Sequence, residues 1–114
     1  MTIMYGIPNC DAIKKARLWM QQHNQSFEFH NFKKDGISEE KLQSWLTQQP
    51  WQDLINRKGT SWRKLDQATR DNMNEQQAIH TMLENPSIIK RPVLETAGKV
   101  YLGFSEQVYS QLFK

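Results

Sequence analysis

A chain of 114 residues with 38% hydrophobic, 11% aromatic and 24% charged side chains is long enough to bury a core without disulfide staples and too apolar for a disordered segment. No apolar run reaches the roughly 18 to 20 residues of a membrane span, and residues 1–8 lack the basic start and long apolar stretch of a secretory signal, so a cytoplasmic protein without membrane association is expected. The net charge is +3, but the cations run from Lys14 to Lys114 and alternate with acids; ordinary solvation accounts for them, and no nucleic-acid partner is expected.

Thr2 to Tyr5 is short, β-branched and aromatic, and Gly6 and Pro8 interrupt it, which predicts a strand followed by a loop. From Asp11 to His23 the apolar positions Ala12, Ile13, Ala16, Trp19 and Met20 recur at helical spacing, with Lys14, Lys15, Arg17 and Gln21 mostly on the other side, so an amphipathic helix follows. Ser26 to Phe32 alternates Phe27 and Phe29 with Glu28 and His30, a half-buried strand. The opening therefore reads β-α-β, parallel and right-handed.

Ile37, Leu42, Trp45 and Leu46 carry a second helix from a Ser38 cap to the stop at Pro50. Further helical pieces are expected at Trp51 to Asn56 and at Asn74 to Glu84, where Ala78, Ile79, Met82 and Leu83 recur. Between them "RKGTSWRKLD" holds a glycine turn and four cations, of which Arg63 and Lys64 read as a solvated face. In the tail, Val93 and Val100 flank the turn-like Thr96, Ala97 and Gly98, an antiparallel hairpin, and Ser105 to Phe113 reads as a closing helix. The order β-α-β, helical block, β-β-α fits one α/β domain over residues 1–114: a small mixed sheet with a helical insertion at about 37–86.

The single cysteine excludes an internal disulfide and any metal site built from several thiolates. Cys10 falls where the first strand gives way to the first helix. The first N–H groups of a helix lack internal partners and, with the helix dipole, favour negative charge; thiols so placed titrate at roughly 3.5 to 7.5 instead of about 8.5. Asp11 opposes ionisation and Lys14 favours it. The position suits a nucleophile, and it equally suits a small packed side chain.

Arg57 in "NRKGT" and Arg91 in "IKRPV" each offer a planar fork of donors for an oxyanion, and each also fits an ordinary surface arginine. Pro92 opens a hairpin strand, and local sequence gives no ground for a cis bond there. His23, His30 and His80 show no ligand spacing and no adjacent carboxylate pattern, so no metal is expected. Trp19, Trp45, Trp51 and Trp62 fit packing positions.

Together, "YGIPNCDAIKKA", "NRKGTSWRKL", "IIKRPV" and "LGFSE", in this order and over nearly the whole chain, resemble the ArsC/Spx family, most closely its small YffB-like branch. The resemblance implies a thioredoxin-like fold with the helical insertion between the β-α-β and β-β-α halves. It implies that Cys10 is a nucleophile, that Arg57 and Arg91 hold an anionic substrate, and that Pro92 follows a cis bond. The second sulfur then comes from a soluble partner through a mixed disulfide.

What the resemblance implies for activity is a glutathione-dependent thiol/disulfide reductase, with glutathione as co-substrate, glutaredoxin or a thiol protein as partner, and a monomeric state. Two alternatives accompany it. One is an Spx-like non-enzymatic binding protein; many Spx regulators carry Cys-x-x-Cys, but here Ile13 stands three residues after Cys10 and excludes an internal redox switch. The other is a weak arsenate reductase, since Gly103 in "LGFSE" stands where arsenate reductases carry a third arginine.

Overall fold

The computed structural model describes all residues from Met1 to Lys114. In chain order its elements are β1 (Thr2–Gly6), α1 (Asp11–Gln22), β2 (Glu28–Asn31), α2 (Phe32–Asp35), α3 (Glu39–Leu46), α4 (Trp51–Leu54), α5 (Thr60–Arg63), α6 (Gln67–Asp71), α7 (Glu75–Glu84), β3 (Val93–Thr96), β4 (Lys99–Leu102) and α8 (Glu106–Leu112), with a 3-10 turn at Pro86–Ile88. They form two compact units, one of Met1–Asn31 with Arg91–Lys114 and one of Phe32–Lys90.

The first unit contains the whole sheet, in the order β2-β1-β3-β4. β1 runs parallel to β2, with Met4 opposite Phe29, and antiparallel to β3, with Met4 opposite Leu94; β3 and β4 form the expected hairpin. Met4 and Leu94 present one face of the sheet to the apolar stripe of α1. They build a cluster with Ile13, Ala16, Trp19, Met20 and Tyr109, against which Cys10, Phe104 and Phe113 also pack. The stripe at 13, 16 and 20 is the 3.6-residue period made physical.

On the hairpin, Ala97 (φ 53°) and Gly98 (φ 76°) both take positive φ, the two-residue turn whose twist matches its strands. On the Met4 and Leu94 face, Thr2 and Thr96 hydroxyls meet at 2.8 Å; on the other face the Tyr5 hydroxyl donates to Glu95 at 2.7 Å. Burial, that carboxylate bond and the nearby charges of Glu95 and Glu28 push the Tyr5 phenol up. β2 is shorter than the Ser26 to Phe32 segment predicted: Phe32 is buried at the start of α2, so the apolar alternation runs past the strand into a helical turn.

The second unit is helical. Leu42, Trp45, Leu54, Ile55, Ala78, Met82, Ile88 and Ile89 are buried in it, and Phe32 meets Trp45 edge to face at 6.5 Å. Three of its helix starts, those of α3, α6 and α7, are capped by side chains: Ser38 accepts from the Lys41 amide, Asp66 from Thr69 and Asn74 from Gln77, each cap contributing about 1 kcal/mol. A bridge between Ile55 and Ile89, with Asn56 N–H to the Ile88 carbonyl and Lys90 N–H to the Leu54 carbonyl, both at 2.8 Å, joins the α4 end to the segment before β3.

Two details differ from the sequence reading. "RKGTSWRKLD" contains a helical turn, α5, beyond the glycine turn expected; Arg63 is exposed, as a solvated face requires, and donates to the Lys58 carbonyl at 2.7 Å. His80 does have a carboxylate at helical spacing and meets Glu84 at 2.6 Å.

Candidate functional site

Cys10 is the N-cap residue of α1. Its backbone is extended (φ −147°, ψ 130°) while its carbonyl already accepts the first helical bond, from the Lys14 amide at 2.9 Å. Pro8 and Asn9 are exposed in the loop before it, Cys10 is half-buried, and Ile13 in the first turn is fully buried. The sequence folds this way because Pro8 cannot extend the β1 ladder and the apolar stripe of α1 begins only at Ile13. Cys10 is thereby left at the rim, its sulfur neither sealed in the core nor freely solvated.

Several groups act on that sulfur. Partial burial pushes the Cys10 thiol up, but the amide of Ile13, a hydrogen bond from the Arg91 side chain, the amide of Ala12 and the Arg91 charge together outweigh burial, and the thiol lies below its ordinary value. Each unit of such lowering is about 1.4 kcal/mol of preference for the thiolate. No side-chain capping bond of the usual kind closes the helix start; on ionisation the sulfur supplies the negative group that the N-terminal amides favour.

Arg91 reaches Cys10 from the segment entering β3. The Arg91–Pro92 peptide is cis, as the resemblance implied, and Pro92 is buried while Arg91 is half-exposed. The Pro92 carbonyl accepts from the Gly103 amide at 2.9 Å, extending the β3–β4 ladder by one rung beyond Val93 and Leu102. Gly103 has φ 78°, a conformation that glycine adopts without steric cost. Cys10, Arg91 and Pro92 thus share one unit of the structure, and Arg91 is in direct contact with the thiol.

Arg57 belongs to the helical unit. It is exposed at the tip of a turn in which the Gly59 amide donates to the Asn56 carbonyl at 3.2 Å and the Lys58 amide to the Asn56 side chain, also at 3.2 Å. A Cβ at Gly59 would meet the side-chain Nδ2 of Asn56 at 2.8 Å, so a larger residue here displaces the Asn56 side chain that accepts from Lys58.

The amides of Ala12 and Ile13 are also part of the site, and in the sequence only the helix start points to them. No group of three or more His, Cys, Asp or Glu residues could hold a metal ion, and no helix is long and apolar enough to cross a membrane.

Comparison with known proteins agrees with this fold. The ArsC family model matches residues 5–112. A solved structure described as the YFFB (PA3664) protein superimposes with a TM-score of 0.93 at 43% identity, covering 97% of each chain. An uncharacterised protein of Haemophilus influenzae is 37% identical over 99% of each chain. The global transcriptional regulator Spx of Streptococcus mutans is 28% identical over 93% of this chain and 78% of its own.

Proposed function

Because the chain belongs to the ArsC family, we propose that it is a thiol-dependent oxidoreductase in which Cys10 exchanges with a disulfide and glutathione restores it. The Cys10 thiolate attacks one sulfur of the substrate disulfide; a mixed disulfide forms, the old S–S bond breaks, and the departing thiolate takes a proton from water. A glutathione thiolate then attacks the substrate sulfur of the mixed disulfide, which frees Cys10 as thiolate. A second glutathione attacks the glutathionylated substrate and carries away the remaining oxidising equivalent as glutathione disulfide. Two glutathiones supply the two electrons.

The observation that carries this reading is the contact of Arg91 and the first-turn amides with a half-exposed sulfur. The same groups that stabilise the attacking thiolate stabilise it again as the leaving group, which speeds resolution. Arg91 supplies a cation for a carboxylate of glutathione, and the backbone beside Pro92 takes the substrate as an added strand. The protein works as a cytoplasmic monomer, where glutathione keeps thiols reduced, with glutaredoxin or a thiol protein as partner. The test is a glutathione-coupled disulfide reductase assay, with turnover in wild type and none in Cys10→Ala.

A second reading, a non-enzymatic binding protein, draws on the likeness to Spx. Capture of a partner by wild type and Cys10→Ser alike, with no turnover, would favour it. A weak arsenate reductase is the third reading, and the conformation of Gly103 weighs against restoring an arginine there.

A further inference from the structure

Gly6 ends β1 and is buried directly against the first turn of α1. Its φ is not positive, unlike those of Gly36, Gly98 and Gly103, so its backbone is open to any residue. What the position lacks is room. A Cβ placed there would lie 2.8 Å from Ile13 Cγ1 and run into Ile13 Cδ1, whereas the Arg91 Cγ would be 3.9 Å away, an ordinary contact.

Ile13 has no free space to turn into: it is 0% exposed and packed in the cluster with Met4, Ala16 and Leu94. In a core of close-packed density, a side chain so enclosed transmits displacement to its own backbone. That backbone carries one of the amides acting on the Cys10 sulfur.

We propose that Gly6 is a positioning residue for Cys10: its missing side chain lets Ile13 seat against the end of β1, and that seat fixes the Ile13 amide on the sulfur. The proposal rests on Cys10 being the reacting thiol. The charged groups around the thiol, Arg91 from the segment before β3 and Asp11 and Lys14 on α1, are unchanged by alanine at position 6, and the Arg91 stem has room for the added methyl. Substitution therefore acts through Ile13 and not through charge.

The test is the pH profile of iodoacetamide alkylation in wild type, Gly6→Ala, Ile13→Ala and the double variant, with circular dichroism as the check on folding. Gly6→Ala should move the midpoint toward that of free cysteine and slow alkylation at pH 7 about threefold to tenfold, a range of up to one pKa unit. The double variant, with the colliding side chain gone, should regain the profile of Ile13→Ala. If Gly6→Ala does not fold, the comparison of Ile13→Ala with the double variant decides: a double variant that folds and shares the Ile13→Ala midpoint, both above wild type, supports the proposal, and an Ile13→Ala midpoint equal to that of wild type overturns it, because the Ile13 seat then does not hold the amide. A folded Gly6→Ala with the wild-type profile also overturns it. Alkylation needs no disulfide substrate, so a wild type with a low midpoint and no reductase turnover would count against the proposed activity and leave the role of Gly6 standing.

Discussion

The amide of Gly103 donates to the carbonyl of Pro92 across 2.9 Å, so the residue that follows β4 is locked to the residue that precedes β3. Gly103 makes this bond with φ 78°, which a side chain opposes by about 1 to 2 kcal/mol. Gly103→Arg should therefore lower Tm by roughly 4 to 8 °C and bring no gain in arsenate reduction. Calorimetry and an arsenate reductase assay check the two halves; a folded variant with new arsenate activity would revive the oxyanion reading.

Arg91→Met should raise the alkylation midpoint of Cys10, because it removes both a hydrogen bond and a charge that favour the thiolate. At pH 7 alkylation should slow by about tenfold for each unit regained. Arg91→Lys keeps the charge without the fork and should fall between the two.

Stability should follow the same ionisation. The folded chain holds Cys10 below its ordinary value, so the unfolded chain binds the thiol proton more tightly. Wild type should gain stability over Cys10→Ser as pH rises from the lowered midpoint to that of free cysteine, with a flat difference below that window. Urea melts across the window measure it, and a difference that shrinks as pH rises would contradict it.

Tyr109 is 0% exposed, and its hydroxyl has no hydrogen-bond partner; burial pushes the phenol up. An unpaired buried hydroxyl costs stability, while the ring keeps its edge-to-face contacts with Phe104 at 4.8 Å and Trp19 at 5.6 Å. Tyr109→Phe should leave stability unchanged or raise it by about 1 kcal/mol. A loss greater than that in denaturant melts would reveal a partner for the hydroxyl.

Ala97 is an L-residue with a side chain at φ 53° in a turn where asparagine or glycine fits both central positions. Ala97→Asn should stabilise the hairpin by about 1 kcal/mol, read as a rise in Tm with no change in Cys10 alkylation.

Periodicity reached far into this fold. The stripe Ile13, Ala16, Trp19 and Met20 marked α1, Val93 and Val100 marked the hairpin, and Ser38, Asn74 and Ser105 stand as caps where helices were expected. α5 and α6 were not legible, since four and five residues are barely one turn and carry no period. The end of β2 was hidden because Phe32 continues the strand's apolar alternation while belonging to α2.

At the site, the thiol's place at a helix start could be read locally, and the resemblance implied the cis bond. The Cys10–Arg91 contact could not be derived from spacing, because it joins residues from opposite ends of the chain. Gly6 escaped notice as a loop signal: its meaning lies in the Ile13 side chain across from it, which no linear pattern displays.

The central strand has a consequence for how the chain is made. β1 borders β2 about 25 residues on, with Ile3 opposite Glu28, and also β3, where the Tyr5–Glu95 bond spans 90 positions. On the ribosome the opening β-α-β must emerge with one strand edge vacant and wait until the entire helical segment has been synthesised. Such distant pairing slows folding, so the nascent N-terminal third keeps an open strand edge until β3 emerges.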